Sequence, residues 1–409
     1  MKIFSFMFCL SCILISGCSY VRPTIRGNII PAQKRLQNSV TVLKNDSSFF
    51  SIPLPESVIQ NAQIVLLGET HGVSANQELE FQMLKFLKSK IDFQVLLMEA
   101  SHSHAVIINK YLNTGDTAYI DTIFRHLKGT FAWTNEYAAF WKNLYAYNQT
   151  LAPEKRISCI GIDGENQYNT ALYFLATITP DTPAFKEIQP AVIKLKNVKF
   201  SDNSVRDAWK LAEEINTNWR TNESLYETFY GENYRDFKIV LQNIVNAKLV
   251  HMTKKKSGKI RYNKVRDSIM YENLLNAYSV NPTARMYGFF GSIHVLQDRY
   301  FGIPSLAYLL NSNSSPYKNK VISMYMYYEN CENINRPDYK ITRTQSEFSS
   351  RVFKFYKEEY NAIFCLNNPD APSETLKFYP YYNNVAGGPF QYILLVKNSK
   401  ASQPYGDLQ

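Results

Sequence analysis

The sequence predicts an α/β fold in which a mainly parallel or mixed central sheet is flanked by helices and carries a helical insertion. Three observations predict it: short apolar runs typical of buried strands recur, helical patterns separate the first of them, and one long stretch is helical with no convincing strand. The 409 residues are 45% hydrophobic and 20% charged, which is the composition of an ordered protein with a large core.

The strands are predicted at seven apolar runs. In chain order the runs are Gln63 to Leu67, Gln94 to Met98, Ile157 to Ile162, Arg285 to Phe290, Val321 to Tyr327, Asn361 to Leu366 and Gln391 to Val396. Between the first of them, residues 75–90 and 135–149 place apolar side chains at helical spacing, which predicts covering helices. The pattern from Ala184 to Tyr278 is helical throughout, so we expect an insertion at about 184–280 within a domain of residues 61–397.

Residues 1–17 have the features of a secretory signal peptide: a lysine, an apolar core from Ile3 to Ser16, and small residues before Cys18. Residues 15–18, with the sequence ISGC, resemble a bacterial lipobox, in which the cysteine is lipidated and becomes the mature N-terminus. A plain cleaved signal and a short membrane anchor are the alternatives. Lipid on Cys18 would tether the protein to a membrane. Because no acidic residues directly follow Cys18, we expect a cell-envelope lipoprotein of the outer membrane that faces the periplasm.

The segments on either side of the domain are polar. Residues 18–60 are predicted to be a lipidated N-terminus and tether, and residues 398–409 a C-terminal tail. Cys159 lies inside a strand-like run and is predicted to be a core residue. Cys331 and Cys365 lie near the ends of late strands, where a disulfide is allowed in an oxidising compartment.

The formal net charge of +10 is spread along the chain, apart from the run KKKSGK at Lys254 to Lys259. No aromatic-interleaved groove motif accompanies this run, so we interpret it as a solvated loop and expect no nucleic-acid partner. Attraction to anionic lipid or to an acidic ligand stays open. The expected partners are a small-molecule substrate and, through the N-terminal lipid, a membrane; the pattern does not predict an oligomeric state.

Ionisable side chains follow four of the predicted strands. They are Glu69 and His71 after the first strand, Glu99 after the second, Asp163 after the third and His294 after the fourth. Ligands bind outside the carboxyl ends of the strands in an open parallel sheet, so loops at one edge would bring these groups together. Glu165 and His102 follow the same strands, but we expect them to cap helices and close turns.

A carboxylate beside an imidazole fixes the tautomer of the histidine and raises its basicity, so that it can take a proton from water. This arrangement suits hydrolysis by an activated water. The alternatives are a purely structural role in turns and a metal site made by Glu69, His71, Glu99 and His294. The sequence contains no HExxH, GxSxG or phosphate-binding glycine motif, so we expect neither covalent nor nucleotide chemistry and no cofactor.

Five stretches, taken in order, resemble the erythromycin esterase-like proteins and their wider superfamily. The stretches are LLGETHG, LLMEAS, FAWTNEYAAFWKNLYAYNQ running into ISCIGIDG, VRDSIMYEN and MYGFFGSIH. The superfamily also contains the ChaN-like haem-binding lipoproteins and the Tiki-type metalloproteases. The resemblance covers roughly residues 60–395, and the ordered set is more specific than any one motif.

The resemblance implies that His71 is the general base, with Glu69 and Glu99 orienting it. His294 occupies the position of the late histidine of the family. The resemblance also matches Asp163 to the aspartate of a GxD turn, and Arg266 and Asp267 to an RDxxM pair. Contact with substrate and a buried structural ion pair are both open for Arg266 and Asp267.

Two departures from the esterase pattern move the sequence towards the ChaN-like and Tiki-like branches. One residue separates Glu69 from His71 where esterases have two, and Gly291 and Ser292 replace the HN of a late HNxH. We therefore consider three functions: a hydrolase that cleaves an ester or lactone, a haem- or iron-binding uptake lipoprotein, and a metal-dependent hydrolase. The last two would require haem or a divalent metal.

Overall fold

The computed structural model describes residues 37, 40–43, 56–198, 205–300, 302–336, 338–344, 353, 355–366 and 390–406. The signal peptide, Cys18 and most of the predicted tether lie outside these residues. No described helix is long and apolar enough to cross a membrane.

The strands, in chain order, are β1 (Val40–Leu43), β2 (Ile64–Glu69), β3 (Val95–Ser101), β4 (Ser158–Asp163), β5 (Met286–Gly291), β6 (Arg299–Tyr300), β7 (Ile303–Pro304), β8 (Val321–Glu329), β9 (Glu332–Ile334), β10 (Ile341–Arg343), β11 (Asn361–Cys365) and β12 (Tyr392–Lys397). The α-helices are α1 (Glu56–Asn61), α2 (Ala75–Ile91), α3 (His102–Thr114), α4 (Thr117–Leu127), α5 (Asn135–Gln149), α6 (Tyr168–Ile178), α7 (Gln189–Lys196), α8 (Val205–Thr221), α9 (Glu223–Tyr230), α10 (Tyr234–Tyr278) and α11 (Leu306–Leu310).

Eight strands form one mixed sheet in the order β1-β11-β12-β8-β2-β5-β3-β4. The neighbouring strands from β12 to β4 are parallel, while β11 is antiparallel to both β12 and β1. All seven predicted runs form strands of this sheet, and the helices α6 to α10 lie in the chain between β4 and β5. The predicted α/β class is therefore confirmed.

The strand β2 lies in the middle of the sheet and shows why the strands are uniformly apolar. Its alternate side chains enter two different cores: Val65 and Leu67 pack with the helices of one face, and Ile64 and Leu66 pack on the other face with α10 and α11. A strand covered on both faces has no solvated side, so it reads as an unbroken apolar run.

The helix α10 is 45 residues long and contributes to both cores. Phe237 and Leu241 near its start pack with the insertion, whereas Met270 and Leu274 near its end pack beneath the sheet. The apolar face therefore changes partner along one continuous helix, and the second half of α10 comes to lie beside the strand ends.

The segments predicted to flank the domain differ from that prediction where the structure describes them. Val40–Leu43 forms an edge strand paired with β11 and residues 56–61 form a helix, although both lie in the predicted tether. Residues 398–406 pack on the domain through bridges of Ala401 to Val73 and Pro404 to Thr134. In both places the backbone pairs with a distant segment, for which the local sequence carries no signal.

The three described cysteines are buried thiols that form no disulfide with one another: Cys159, Cys331 and Cys365. The allowed disulfide between Cys331 and Cys365 is thus not formed. The Sγ atom of Cys331 instead lies 3.4 Å from the carbonyl of Glu329 and 3.5 Å from that of Val396.

Candidate active site

The turn after β2 holds a carboxylate and an imidazole in contact. Glu69 accepts a hydrogen bond from His71 Nδ1 through one oxygen and from the amide of Asn76 through the other. Asn76 also donates to the Thr70 carbonyl at 2.9 Å, and it accepts from the hydroxyl of Tyr328 at 2.8 Å. The turn is therefore tied both to α2 and to the end of β8.

The imidazole of His71 reaches solvent while its partner carboxylate does not. The side chain of His71 is 39% exposed and that of Glu69 is 5% exposed. Since Nδ1 is occupied by Glu69, Nε2 is the atom left to act on a ligand. A Cβ atom added at Gly291 would lie 3.3 Å from that Nε2 and 3.4 Å from Glu99 Oε2, so the glycine keeps this space open.

The guanidinium of Arg266 joins three strand ends on the floor of the site. It donates through Nη2 to Glu99 at 2.6 Å and to Asp163 at 2.7 Å, and through Nε to both oxygens of Asp163 at 3.1 Å. The other oxygen of Glu99 accepts from the backbone N–H of Gly291. These bonds fix the ends of β3, β4 and β5 relative to α10.

A second charged pair supports this floor. His294 Nδ1 lies 2.6 Å from Asp267, whose same oxygen also accepts from the backbone N–H of Leu306 at 3.1 Å. His294 Nε2 lies 3.1 Å from Arg266 Nη1 and 3.4 Å from Glu99. Because Arg266 and Asp267 are adjacent on α10, one helical turn supplies both partners of the network.

Burial and charge shift the pKa values of these groups in opposite directions. Burial lowers the pKa of His71, but attraction to Glu69 and their hydrogen bond outweigh it, so the pKa is raised above the ordinary value. Burial also lowers the pKa of His294, yet Asp267 and Glu99 raise it to about 10. Burial raises the pKa of Glu99, but Arg266 and His294 bring it well below the ordinary range. At neutral pH, Glu99 is therefore ionised and His294 protonated.

All seven predicted site residues lie at this edge of the sheet, in two hydrogen-bonded groups that approach each other beside Gly291. One group is the pair Glu69 and His71, and the other is the network of Glu99, Asp163, Arg266, Asp267 and His294. Glu165 and His102 lie outside it. Glu165 accepts from the backbone N–H of Ser103 at 3.0 Å, at the start of α3, and His102 pairs with Asp236 at 2.8 Å. Both make structural contacts at a helix end.

Four residues around His71 were not predicted from the sequence: Asn76, Phe131, Tyr328 and Arg336. The Phe131 ring lies 5.0 Å from the His71 ring, and the Arg336 guanidinium lies 5.0 Å from the centroid of Phe131. Tyr328 follows the same rule that identified the acidic residues, since it lies near the carboxyl end of β8. Phe131 begins the stretch FAWTNEYAAFWKNLYAYNQ, which indicates the family but does not single out this ring. Arg336 lies in a connecting segment without a motif.

The residues of the network are poor metal ligands in this arrangement. Among the described residues, no group of three or more His, Cys, Asp or Glu side chains has the geometry to hold a metal ion. The carboxylates of Glu99 and Asp163 are turned towards Arg266, and a fixed cation at that position competes with a metal for the same oxygens.

A family model described as haem-binding uptake, Tiki superfamily, ChaN matches residues 57–306, which is more than half of the chain. The chain belongs to this family. The match includes every residue of the network, and it confirms the resemblance to the superfamily that the motifs indicated. No curated protein sequence gives a significant match to this ChaN/Tiki-family chain.

Three solved structures share the fold of this ChaN/Tiki-family chain. A Bacillus cereus protein is 17% identical with a TM-score of 0.64, and the alignment covers 92% of this chain and 99% of that one. A succinoglycan biosynthesis protein is 16% identical with a TM-score of 0.67, covering 91% and 98%. The erythromycin esterase EreC, as a histidine-to-asparagine variant in its open conformation, is 15% identical with a TM-score of 0.62, covering 86% and 94%. At these identities the likeness establishes the fold and not the reaction.

Proposed function

We propose that this protein hydrolyses a carboxylic ester or lactone by activating water with His71. The observation that carries the proposal is the Glu69–His71 pair, in which Nδ1 is held by a buried carboxylate and Nε2 lies beside Gly291, where no side chain covers it. A neutral imidazole fixed in this way is a general base of suitable strength near neutral pH.

In the proposed reaction, a water molecule within hydrogen-bonding reach of His71 Nε2 attacks the ester carbonyl carbon and gives its proton to Nε2. Glu69 stabilises the resulting imidazolium. The developing oxyanion is stabilised by the positive charges of Arg266 and His294 on the floor of the site. When the carbon–oxygen bond breaks, the proton on Nε2 passes to the leaving alkoxide, which leaves a carboxylic acid and an alcohol.

Three carboxylates hold the cationic side chains of Arg266 and His294 in place: Glu99, Asp163 and Asp267. Each carboxylate bonds Arg266 or His294, so together they keep positive charge at a fixed place beside His71. Fixed charges of this kind do not have to reorganise during the reaction.

The experiment is a screen of purified protein against ester, lactone, macrolide and peptide panels, with and without chelator. We expect chelator-resistant ester hydrolysis that falls by 100-fold or more, about 3 kcal/mol of barrier, in His71→Asn. The matched control is His251→Asn, because His251 is an exposed histidine on α10. Ester hydrolysis that persists unchanged in His71→Asn would overturn the proposal, and activity lost to chelator and restored by a divalent metal would favour metal-dependent hydrolysis.

A second candidate function is haem or iron binding, which the description of the family model favours. Haem titration separates it from hydrolysis, since a bound haem gives a Soret band and needs no turnover.

We further propose that the protein is a periplasm-facing outer-membrane lipoprotein with lipid on Cys18. The support is the sequence ISGC at residues 15–18 after an apolar core. Metabolic labelling with palmitate should be lost in Cys18→Ser and retained in the matched variant Cys12→Ser, and cell fractionation locates the labelled chain.

A further inference from the structure

An exposed arginine, Arg336, lies at the solvent-facing edge of the site. The ring of Phe131 separates it from His71. The guanidinium of Arg336 lies over the Phe131 ring, and the same ring contacts the imidazole. Arg336 and His71 therefore lie against the same aromatic ring, and both side chains reach solvent.

The position of Arg336 is fixed by anchors on both sides of it in the segment from β9 to β10. On one side, the backbone N–H of Ile334 donates to the Gly72 carbonyl at 3.1 Å. On the other, the hydroxyl of Tyr339 accepts from the backbone N–H of Gly129 at 2.7 Å. The arginine is thus held over the loop that contains His71 and over the segment that contains Phe131.

The helix α10 places a second cation and a second ring near this edge of the site. Tyr262 lies one turn before Arg266 and therefore on the same face of the helix. The Lys254 ammonium lies 5.2 Å from the centroid of the Tyr262 ring. The pKa of Tyr262 is raised, chiefly by burial, while Arg266 and Arg336 lower it and Asp163 and Glu99 raise it further. The phenol is therefore near enough to feel the charges of both the floor and Arg336.

Within the described part of the chain, the charges at the edge have no salt-bridge partner, unlike those of the floor. The carboxylates of the floor are already paired: Glu69 with His71, Glu99 and Asp163 with Arg266, and Asp267 with His294. Arg336 and Lys254 form no salt bridge with the described residues, and both are exposed. Two exposed cations near the site are therefore available to an anionic ligand.

We propose that the substrate carries a carboxylate that binds Arg336, with Lys254 beside it, while its ester carbonyl faces His71. The guanidinium presents parallel N–H donors that match a carboxylate, and the Phe131 ring beneath it holds its plane. The substrate class is an ester or lactone with a carboxylate a few bonds from the scissile group. This inference rests on the proposed function, because the hydrolysed bond is the one assigned to His71.

The test compares two esters of one alcohol, methylumbelliferyl hemisuccinate and methylumbelliferyl butyrate. We expect wild type to prefer the hemisuccinate, and Arg336→Gln to lower the ratio of kcat/KM for the hemisuccinate to kcat/KM for the butyrate by about 10- to 100-fold, mainly through KM. The matched control is Arg343→Gln, an exposed arginine on β10 of the same segment, which should keep the wild-type ratio. An unchanged ratio in Arg336→Gln overturns the inference.

Calorimetric titration with glutarate separates this inference from the proposed reaction, since binding requires no turnover. If glutarate binds wild type and Arg343→Gln but not Arg336→Gln, the carboxylate site is supported. If the protein in addition cleaves no ester, only the proposed reaction is contradicted. Ester hydrolysis together with equal glutarate binding by wild type and Arg336→Gln contradicts the proposed carboxylate site. The proposed reaction is then still supported.

Discussion

The raised pKa of His71 gives the proposed reaction a definite pH dependence. The imidazole must be neutral to accept a proton, so we expect kcat/KM to rise with pH and to reach half its maximum above pH 6.5. Replacing Glu69 by Gln removes the attraction that raises the pKa, and burial then lowers it. In Glu69→Gln the midpoint of the profile should therefore move to lower pH while the maximum falls. A midpoint unchanged between wild type and Glu69→Gln, measured on one ester, would contradict this role of Glu69.

The pKa of His294, raised to about 10, makes the stability of the fold depend on pH. A folded-state pKa above the unfolded value stabilises the protein fully below about pH 6.5, and this contribution is lost as the pH rises towards 10. We therefore expect the free energy of unfolding to fall more steeply with pH over this range in wild type than in His294→Gln. Urea unfolding at a series of pH values measures the two slopes, and His251→Gln is the control because it should keep the wild-type slope.

At the scale of single elements, an irregularity in β3 determines where Glu99 lies. The pairing of β3 with β4 shifts register between Met98 and Ser101, and Gly161 of β4 lies against this shift. A Cβ atom at Gly161 would lie 2.0 Å from the Ser101 carbonyl oxygen and 2.8 Å from that of Ala100. The shifted pairing of β3 with β4 can therefore form only because residue 161 has no side chain.

We expect Gly161→Ala to lower the free energy of unfolding by about 2 kcal/mol or more and to reduce ester hydrolysis, because the backbone beside Glu99 must move. Thermal unfolding and kcat/KM measure the two effects. The matched control is Gly164→Ala, whose added Cβ would have its nearest neighbour at 3.7 Å, an ordinary contact. Equal stability of the two variants would show that the register shift does not depend on Gly161.

The elements that could be predicted are those whose burial can be read from their own stretch of sequence. The strands β2 to β5 are apolar on both faces and are followed by ionisable groups, so both the sheet and the residues at its edge could be predicted. The strand β1 could not, because only four half-buried residues pair with β11, more than 300 positions away. Arg336 was missed for the same reason: its place over Phe131 depends on a contact between two distant connecting segments.

At the scale of the whole molecule, the residues that follow β12 pack against the segment that carries Phe131. The Tyr405 ring lies 4.4 Å from the Phe124 ring, and the backbone N–H of Tyr405 donates to the Trp133 carbonyl at 3.1 Å. The segment that carries Phe131 is therefore held in part by residues that follow the last strand.

We expect Tyr405→Ala to lower the free energy of unfolding by about 1–2 kcal/mol, since a half-buried aromatic ring is lost. It should also reduce glutarate affinity, because Phe131 and Arg336 lose support. Urea unfolding and calorimetry measure these effects. The control is Tyr360→Ala, because Tyr360 is 42% exposed and lies far along the chain from this segment. Full glutarate affinity in Tyr405→Ala would show that the tail does not support the edge of the site.

The 45 residues of α10 form one rod, roughly 65 Å long at the usual rise per residue. Its first half belongs to the insertion, whose inner face would determine which substrates fit, and its second half carries Arg266 and Asp267. Because one helix carries both parts, a displacement of the insertion along the helix axis would strain the bonds to Glu99, Asp163 and His294. We therefore expect substitutions that displace the insertion to change the pKa of His71, because Arg266 and Glu99 contribute to that pKa.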